Sequence, residues 1–520
     1  MSDSIENVLL KQIQTNAESN HAPAVRKTNE SNRQERRLSR CSSTSSDRST
    51  RKRKYPESRK ADENGRTKRQ CNIKAEILKV VNESGKTTPK VKTASRDLVE
   101  NQDGSLTFQR DFKTLASLKR ISAGAFSWEL THTFTESHSY KNGVPDDSCE
   151  IHPIYGVHIA PFTIPDPCID AEESTEPHYL IATTGSKWVQ IYTCTEKSKL
   201  KLIQVHSGPQ NDNYYNVKFT KFDGIIYLVS AGENGTVRVI DVAKGDLDHS
   251  FEGAANPIND IQIHPIFPEV IALASKDMST HLWNIKSRTE IAIFSGRSLE
   301  GHSDQVLTVD FNQDGTKLLS SGMDHNVIIW DLVGRLGIEK EIELSYDLSI
   351  KHESSPRLPV WKHFVFLKCS SVHRNYVDCA KFYGNIIISK SCNQDAKVCA
   401  WIPTIMSEDA SRVKSEVDVL FQYSFPLKPE PSWFMKFNFD SSRRFMAVGL
   451  MDGRVMVMDL HSSEDPMDLR TVYLQGKTER QGLIRESCFS PDGKFLISVD
   501  ETAKVFKYNI KIAQPTATKK

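Results

Sequence analysis

The chain has 520 residues, of which 38% are hydrophobic and 26% charged, and a formal net charge of +2. No run approaches the roughly 18 consecutive apolar residues of a membrane-spanning helix, and the ten cysteines form neither a CxxC pair nor a Cys/His cluster at metal-ligand spacing. Membrane insertion and a structural metal are thereby excluded, no cofactor is expected, and a chain opening without an apolar signal segment is expected in a reducing cytosolic or nuclear compartment.

The near-neutral total hides an asymmetry. Residues 1–95 carry about 22 Lys and Arg against about 11 Asp and Glu. From Met1 to about Leu118 the chain is dense in Ser, Asn, Lys, Arg and Glu, with almost no aromatics before Phe108. Such a segment buries too little apolar surface to fold alone, so residues 1–120 are expected to be a disordered basic arm. Within it Arg51, Lys52, Arg53 and Lys54, followed by Arg59-Lys60 and Lys68-Arg69, read as a nuclear localisation signal. Non-specific nucleic-acid binding is also compatible with this charge.

From residue 121 a unit recurs at a period of about 44–50 residues, typical of four-stranded propeller blades. Each unit has a small-residue or acidic turn followed by a short alternating strand. The instances are Thr184-Gly185-Ser186 before Val189, Gly232-Glu233-Asn234-Gly235 before Val237, Ser275-Lys276-Asp277 before His281, and Gly322-Met323-Asp324 before Val327. Asn393-Gln394-Asp395 before Val398, Met451-Asp452-Gly453 before Val455, and Asp500-Glu501-Thr502 before Val505 complete seven. Trp283-Asn284 and Trp330-Asp331 resemble the WD dipeptide. In the fourth unit His302, Ser320, Asp324 and Trp330 are expected to form a buried structural network and not a catalytic dyad. The predicted fold is therefore all-β, a seven-bladed WD40 β-propeller over residues 121–512 with a disordered tail at 513–520.

Closing such a ring removes sheet edges that would otherwise recruit other chains. Trp128 to Phe134, apolar at alternate positions, is expected to supply the outer strand of the last blade beside Val505 to Ile510. The irregular stretches 333–372 and 403–430 read as long functional loops. Trp361, Phe364 and Phe366 in the first of them belong either to a partner surface or to internal packing.

The first strand of every unit can be aligned on the pattern apolar-x-x-apolar-x-apolar, as in Val306 to Phe311. Its second position is occupied by Tyr155, Tyr215, Asn259, Leu307, Asp378, Trp433 and Arg485 in turn. In a propeller this position lies at the rim of the central channel, so Tyr155, Tyr215, Trp433 and the adjacent Phe434 can converge there. Two readings are open: packing between blades, or a cage that binds a quaternary ammonium by cation–π attraction.

Several strings go beyond generic WD signatures: Ile258-Asn259-Asp260 leading to His264-Pro265, Leu282-Trp283-Asn284-Ile285, Ser321-Gly322-Met323-Asp324-His325, His373-Arg374-Asn375-Tyr376-Val377-Asp378-Cys379, and Ser389-Lys390-Ser391-Cys392. Through them residues 125–512 resemble the embryonic ectoderm development/extra sex combs family, the WD-repeat subunits of Polycomb repressive complex 2. The resemblance implies a nuclear, non-enzymatic chromatin regulator. It would read trimethylated lysine 27 on the histone H3 tail through one face and hold the SET-domain histone methyltransferase subunit on the other. It would also join the remaining Polycomb subunits and stimulate methylation. Carried over by position, the cage is Tyr155, Tyr215, Trp433 and Phe434, with Asn259, Arg485, Asp378 and Lys436 as histone-peptide contacts. The family commonly has Phe at the position of Tyr155 and Tyr at that of Phe434, so hydroxyls have moved around the pocket. The competing function is a generic WD adaptor, such as a ubiquitin-ligase substrate receptor, with no methyl-lysine recognition. An enzyme is disfavoured, since no P-loop, Ser/His/Asp pattern or metal cluster occurs.

Overall fold

A computed structural model describes most of residues 126–512, together with 98–100 and 106–108; 146–151, 165–175, 347–358, 404–416 and 425–431 are the longest stretches within 126–512 that lie outside the description. Arg51 to Lys54 and the tail at 513–520 also fall outside the described residues.

Among the described residues seven sheets of four or five strands, antiparallel except for one added strand in blade three, follow one another as blades. The first blade runs Gly156–Ile164, His178–Gly185, Trp188–Cys194 and Lys201–Ser207, and the second Tyr214–Phe222, Ile225–Gly232, Thr236–Asp241 and Asp246–Glu252. Innermost strands lie between two neighbouring blades, so both faces are covered; Val306–Phe311 is buried at every residue. The outermost strand Asp246–Glu252 faces water: its residues are exposed except for the half-buried His249 and Phe251. Tight turns set the blade ends. At Gly235 φ is +70°, and a Cβ there would stand 2.3 Å from the Ala254 carbonyl oxygen, so only glycine fits.

Apolar burial is divided into seven clusters, one in each gap between adjacent blades. Val270, Leu282, Val309 and Trp330 fill the gap between blades three and four. Ile159, Tyr192, Ile497 and Val505 fill the gap between blades one and seven, and so complete the ring. Closure is by Phe126–Thr135, which pairs along its whole length with Lys504–Ile512. This is the strand and the partner expected from the alternation at Trp128 to Phe134.

The described parts of both irregular stretches belong to the blades. Within 333–372, helix Ile338–Ser345 seats Ile338 and Ile342 in the core between blades three and four. Val360–Lys362 then adds to blade three as a parallel fifth strand, and Leu367–Cys369 is the outer strand of blade four. Within 403–430, Val417–Ser424 is the outer strand of blade five. For these described residues the loop reading is corrected: in each stretch the blade's fourth strand is displaced from the repeat period. Phe366 packs against the core between blades four and five, Trp361 is 54% exposed, and Phe364 lies outside the described residues. Inside the stretch expected to be a disordered arm, Leu98–Glu100 and Leu106–Phe108 form a two-stranded ladder.

Candidate methyl-lysine cage and its supports

The second position of the innermost strand is set apart by a β-bulge. Pairing with the next strand slips between Tyr214 and Asn216, Ile258 and Asp260, Val306 and Thr308, Val377 and Cys379, and Ile484 and Glu486. The residue left over is Tyr215, Asn259, Leu307, Asp378 or Arg485. A bulge removes its residue from the in-out alternation and re-aims it, which explains why that position carries the variable chemistry. Tyr155 immediately precedes its strand, as Trp433 and Phe434 precede Phe437–Phe439.

Three rings meet at the rim. Tyr155 and Tyr215 have centroids 5.4 Å apart with planes at 76°. Phe434 stands 5.8 Å from each, at 89° to Tyr155 and 66° to Tyr215. Trp433 abuts Phe434 at 5.5 Å and 84°. The structure thus brings all four expected aromatics together. Tyr215 and Phe434 are buried while Tyr155 and Trp433 are half-buried. Burial, followed by the nearby Glu233 and Tyr155, pushes the Tyr215 phenol far above its ordinary value, so its hydroxyl stays protonated.

Phe434 holds φ at +68°, a left-handed backbone that a bulky side chain occupies only when its surroundings impose it. Those surroundings are identifiable. The Met435 N–H donates to Asp378 Oδ2 at 3.1 Å, and Asp378 is itself held by Lys390 Nζ at 2.6 and 2.8 Å. The Lys436 N–H donates to the Arg485 carbonyl at 2.9 Å, while Arg485 Nη1 donates to the Trp433 carbonyl at 2.9 Å. The Arg485 guanidinium also lies 5.5 Å over the Tyr155 ring. Asn259 donates to the Val306 carbonyl at 2.7 Å. Asn259, Asp378, Lys436 and Arg485 are all buried, and their polar groups serve the frame of the rim.

Below the rim the channel is laced with charge. Blades two to seven contribute Lys218, Asp260, Asp310, Lys381, Lys436 and Glu486, all at the third or fifth place of the innermost-strand pattern. Lys436 Nζ reaches Asp260 Oδ1 at 2.6 Å, and Lys218 Nζ lies 3.9 Å from Glu486. Asp310 holds Lys381 cationic against the pull of burial. Asp260 also accepts from Asn216 Nδ2 at 2.8 Å, Thr308 Oγ1 at 2.6 Å and the Val309 N–H at 3.2 Å. Burial would raise the Asp260 pKa, but Lys436, Lys218 and Lys381 outweigh it and hold the carboxyl below its ordinary value. Three carboxylates and three lysines thus stitch six blades across the axis. No repeat signature announced them, because the two partners of each pair come from different blades.

The expected network in blade four is present. His302 Nδ1 faces Asp324 at 3.0 Å, Ser320 Oγ lies 2.9 Å from His302 Nε2, and Trp330 Nε1 donates to the same hydroxyl at 3.0 Å. Burial acts to raise the Asp324 pKa, yet its hydrogen bonds with His302 and Asn326 hold it well below the usual carboxylate range. Sequence reasoning missed the equivalent set in blade five, where Ser389 Oγ meets His373 Nε2 at 2.6 Å and Trp401 Nε1 at 2.9 Å. The signal was present in the spacing of His373, Ser389 and Trp401, which is close to that in blade four.

Comparison with known proteins agrees with this architecture. Residues 294–331 match the family model described as WD domain, G-beta repeat. Polycomb protein esc of Drosophila melanogaster is 33% identical over 334 residues, covering 64% of this chain and 77% of the relative. Polycomb group protein FIE2 of Zea mays is 32% identical over 361 residues, covering 66% and 90%. A chain from a Chaetomium thermophilum Polycomb repressive complex 2 in complex with H3K27me3 is 18% identical with a TM-score of 0.56, covering 74% of this chain and 98% of that one. At that identity the likeness is one of fold. The identity to esc and FIE2 over most of their length is a closer relationship, and by it the chain belongs to the Polycomb esc/FIE family of WD-repeat proteins.

Proposed function

We propose that this protein is the non-catalytic WD-repeat subunit of a nuclear histone methyltransferase of the Polycomb repressive complex 2 type. Its rim cage binds the trimethylated lysine 27 side chain of the histone H3 tail, and its other face holds the SET-domain subunit, which cage occupancy stimulates. The observation that carries the reading is the mutual arrangement of Tyr155, Tyr215 and Phe434. Three near-perpendicular rings with centroids 5.4 to 5.8 Å apart can enclose a cation about 4 Å from each face, within the roughly 6 Å reach of cation–π attraction. A quaternary ammonium suits such walls because it has no N–H group to leave unsatisfied when desolvated.

The esc and FIE relatives support the same assignment, as does a neighbour solved with H3K27me3. Titration of the protein with an H3 peptide carrying trimethyllysine 27, and with the unmodified peptide, tests it. Selective binding that falls at least tenfold in Trp433→Ala is expected. Equal affinity for the two peptides would rule out the reader role.

A further inference from the structure

Phe434 has a cation at one of its faces before any ligand arrives. Lys436 Nζ lies 5.2 Å from its centroid, and that ammonium is 2.6 Å from Asp260 Oδ1. A ring has two faces, and a guest ammonium must use the one that Lys436 does not. The ring would then stand between two positive charges, and a cation on one face draws the π density away from the other. Asp260 changes this balance. It is buried with Lys436, their side chains 6% and 4% exposed, so little solvent screens the pair. Its carboxylate is fixed by donors from blades two and four, independently of whether Lys436 is present.

We infer that Asp260 is a specificity-determining residue of the cage: by neutralising Lys436 at the back of Phe434 it leaves the ring's open face attractive to a quaternary ammonium side chain. Asp260 touches no guest and acts through Lys436 and the ring. Without it, a guest and Lys436 are like charges about 9 Å apart, which at an effective dielectric of about 20 weakens binding by roughly tenfold or more. The inference rests on the cage reading above and adds to it a charge requirement that ring shape does not supply.

The test uses the full chain and two H3 peptides, one with trimethyllysine and one with its neutral tert-butyl carbon isostere, which has the same shape and no charge. Asp260→Asn should lose roughly tenfold in affinity for the ammonium peptide while its affinity for the neutral isostere stays within about twofold. The double variant Asp260→Asn with Lys436→Met, which removes both charges of the pair behind the ring, should regain ammonium binding. Equal losses for both peptides, or a double variant no better than the single, would show a merely structural role and overturn the inference. Where the single variant does not fold, the double variant decides: near-normal ammonium binding upholds the inference and loss of it does not. A wild-type protein that ignores methylation removes the cage reading and this inference together, whereas selective wild-type binding with an unaffected Asp260→Asn removes this inference alone.

Discussion

Trp128 lies directly opposite Ile510 in one antiparallel ladder, so the two ends of the propeller domain are locked in a single blade. The Trp128 ring also packs 6.0 Å from Phe445 and 5.9 Å from Phe489, joining the closing strand to the gap between blades six and seven. The two gaps that flank blade seven share this strand: Trp128 and Leu130 pack into one and Phe134 into the other. Truncation through Thr135 is expected to leave Lys504–Ile512 as an unpaired edge and to cause self-association, read by light scattering on a sizing column. Trp128→Ala, at a half-buried site, is expected to cost about 2 kcal/mol in urea unfolding. A monodisperse, fully stable truncation would show that the strand is dispensable.

Ser320 and Ser389 each serve a histidine and a tryptophan at once, in blades four and five. Removing either hydroxyl leaves two buried ring nitrogens without that partner. Ser320→Ala and Ser389→Ala are each expected to lose about 2 to 4 kcal/mol of unfolding free energy. A loss below about 0.5 kcal/mol in both would mean that the networks contribute little to the blades.

His264 and His281 should set opposite limbs of the stability profile. His264 Nδ1 accepts the Ile266 and Phe267 N–H groups at 3.1 Å, which leaves Nε2 to donate to the Gly315 carbonyl at 3.2 Å. Burial pushes its pKa down from 6.5 to about 4, despite Gly315 and Asp314 acting the other way. A lowered folded pKa means its stabilisation is complete above pH 6.5 and lost as pH falls towards 4, by about 3 kcal/mol at most. His281 is the reverse. Burial lowers its pKa, but Asp277 at 2.9 Å and Glu290 at 2.7 Å outweigh that and raise it to about 9. Its contribution is complete below pH 6.5 and lost as pH rises through 9. Thermal unfolding across pH 4 to 10 checks this: His264→Gln should flatten the acid limb and His281→Gln the alkaline one. Limbs unchanged by either substitution would assign the pH dependence to other groups.

How far the fold was legible follows from which interactions are local. Each third strand from Val189 to Val505 was readable because its turn, alternation and end residue lie within about ten positions of one another, a span that strand periodicity resolves. The closing strand at Trp128 was readable for a different reason: a ring of blades leaves one edge unpaired, and only this segment alternates correctly ahead of the first blade. The outer strands Leu367–Cys369 and Val417–Ser424 were hidden. Inserted residues moved them away from the period, and an outer strand needs only one packed face, so its apolar pattern is weak.

At the site, the sequence alone singled out the four aromatics that meet, since Tyr155, Tyr215 and Trp433 share one position of the aligned strands and Phe434 follows Trp433. Only the tertiary structure decided what their neighbours do. Arg485 and Asp378 grip the backbone that carries Phe434, and Lys436 crosses the axis to Asp260. Strand patterns record which face of one sheet a side chain takes. They hold no information about which carboxylate from another blade lies within 3 Å, because that depends on bulges, twist and the closing of seven sheets around one axis.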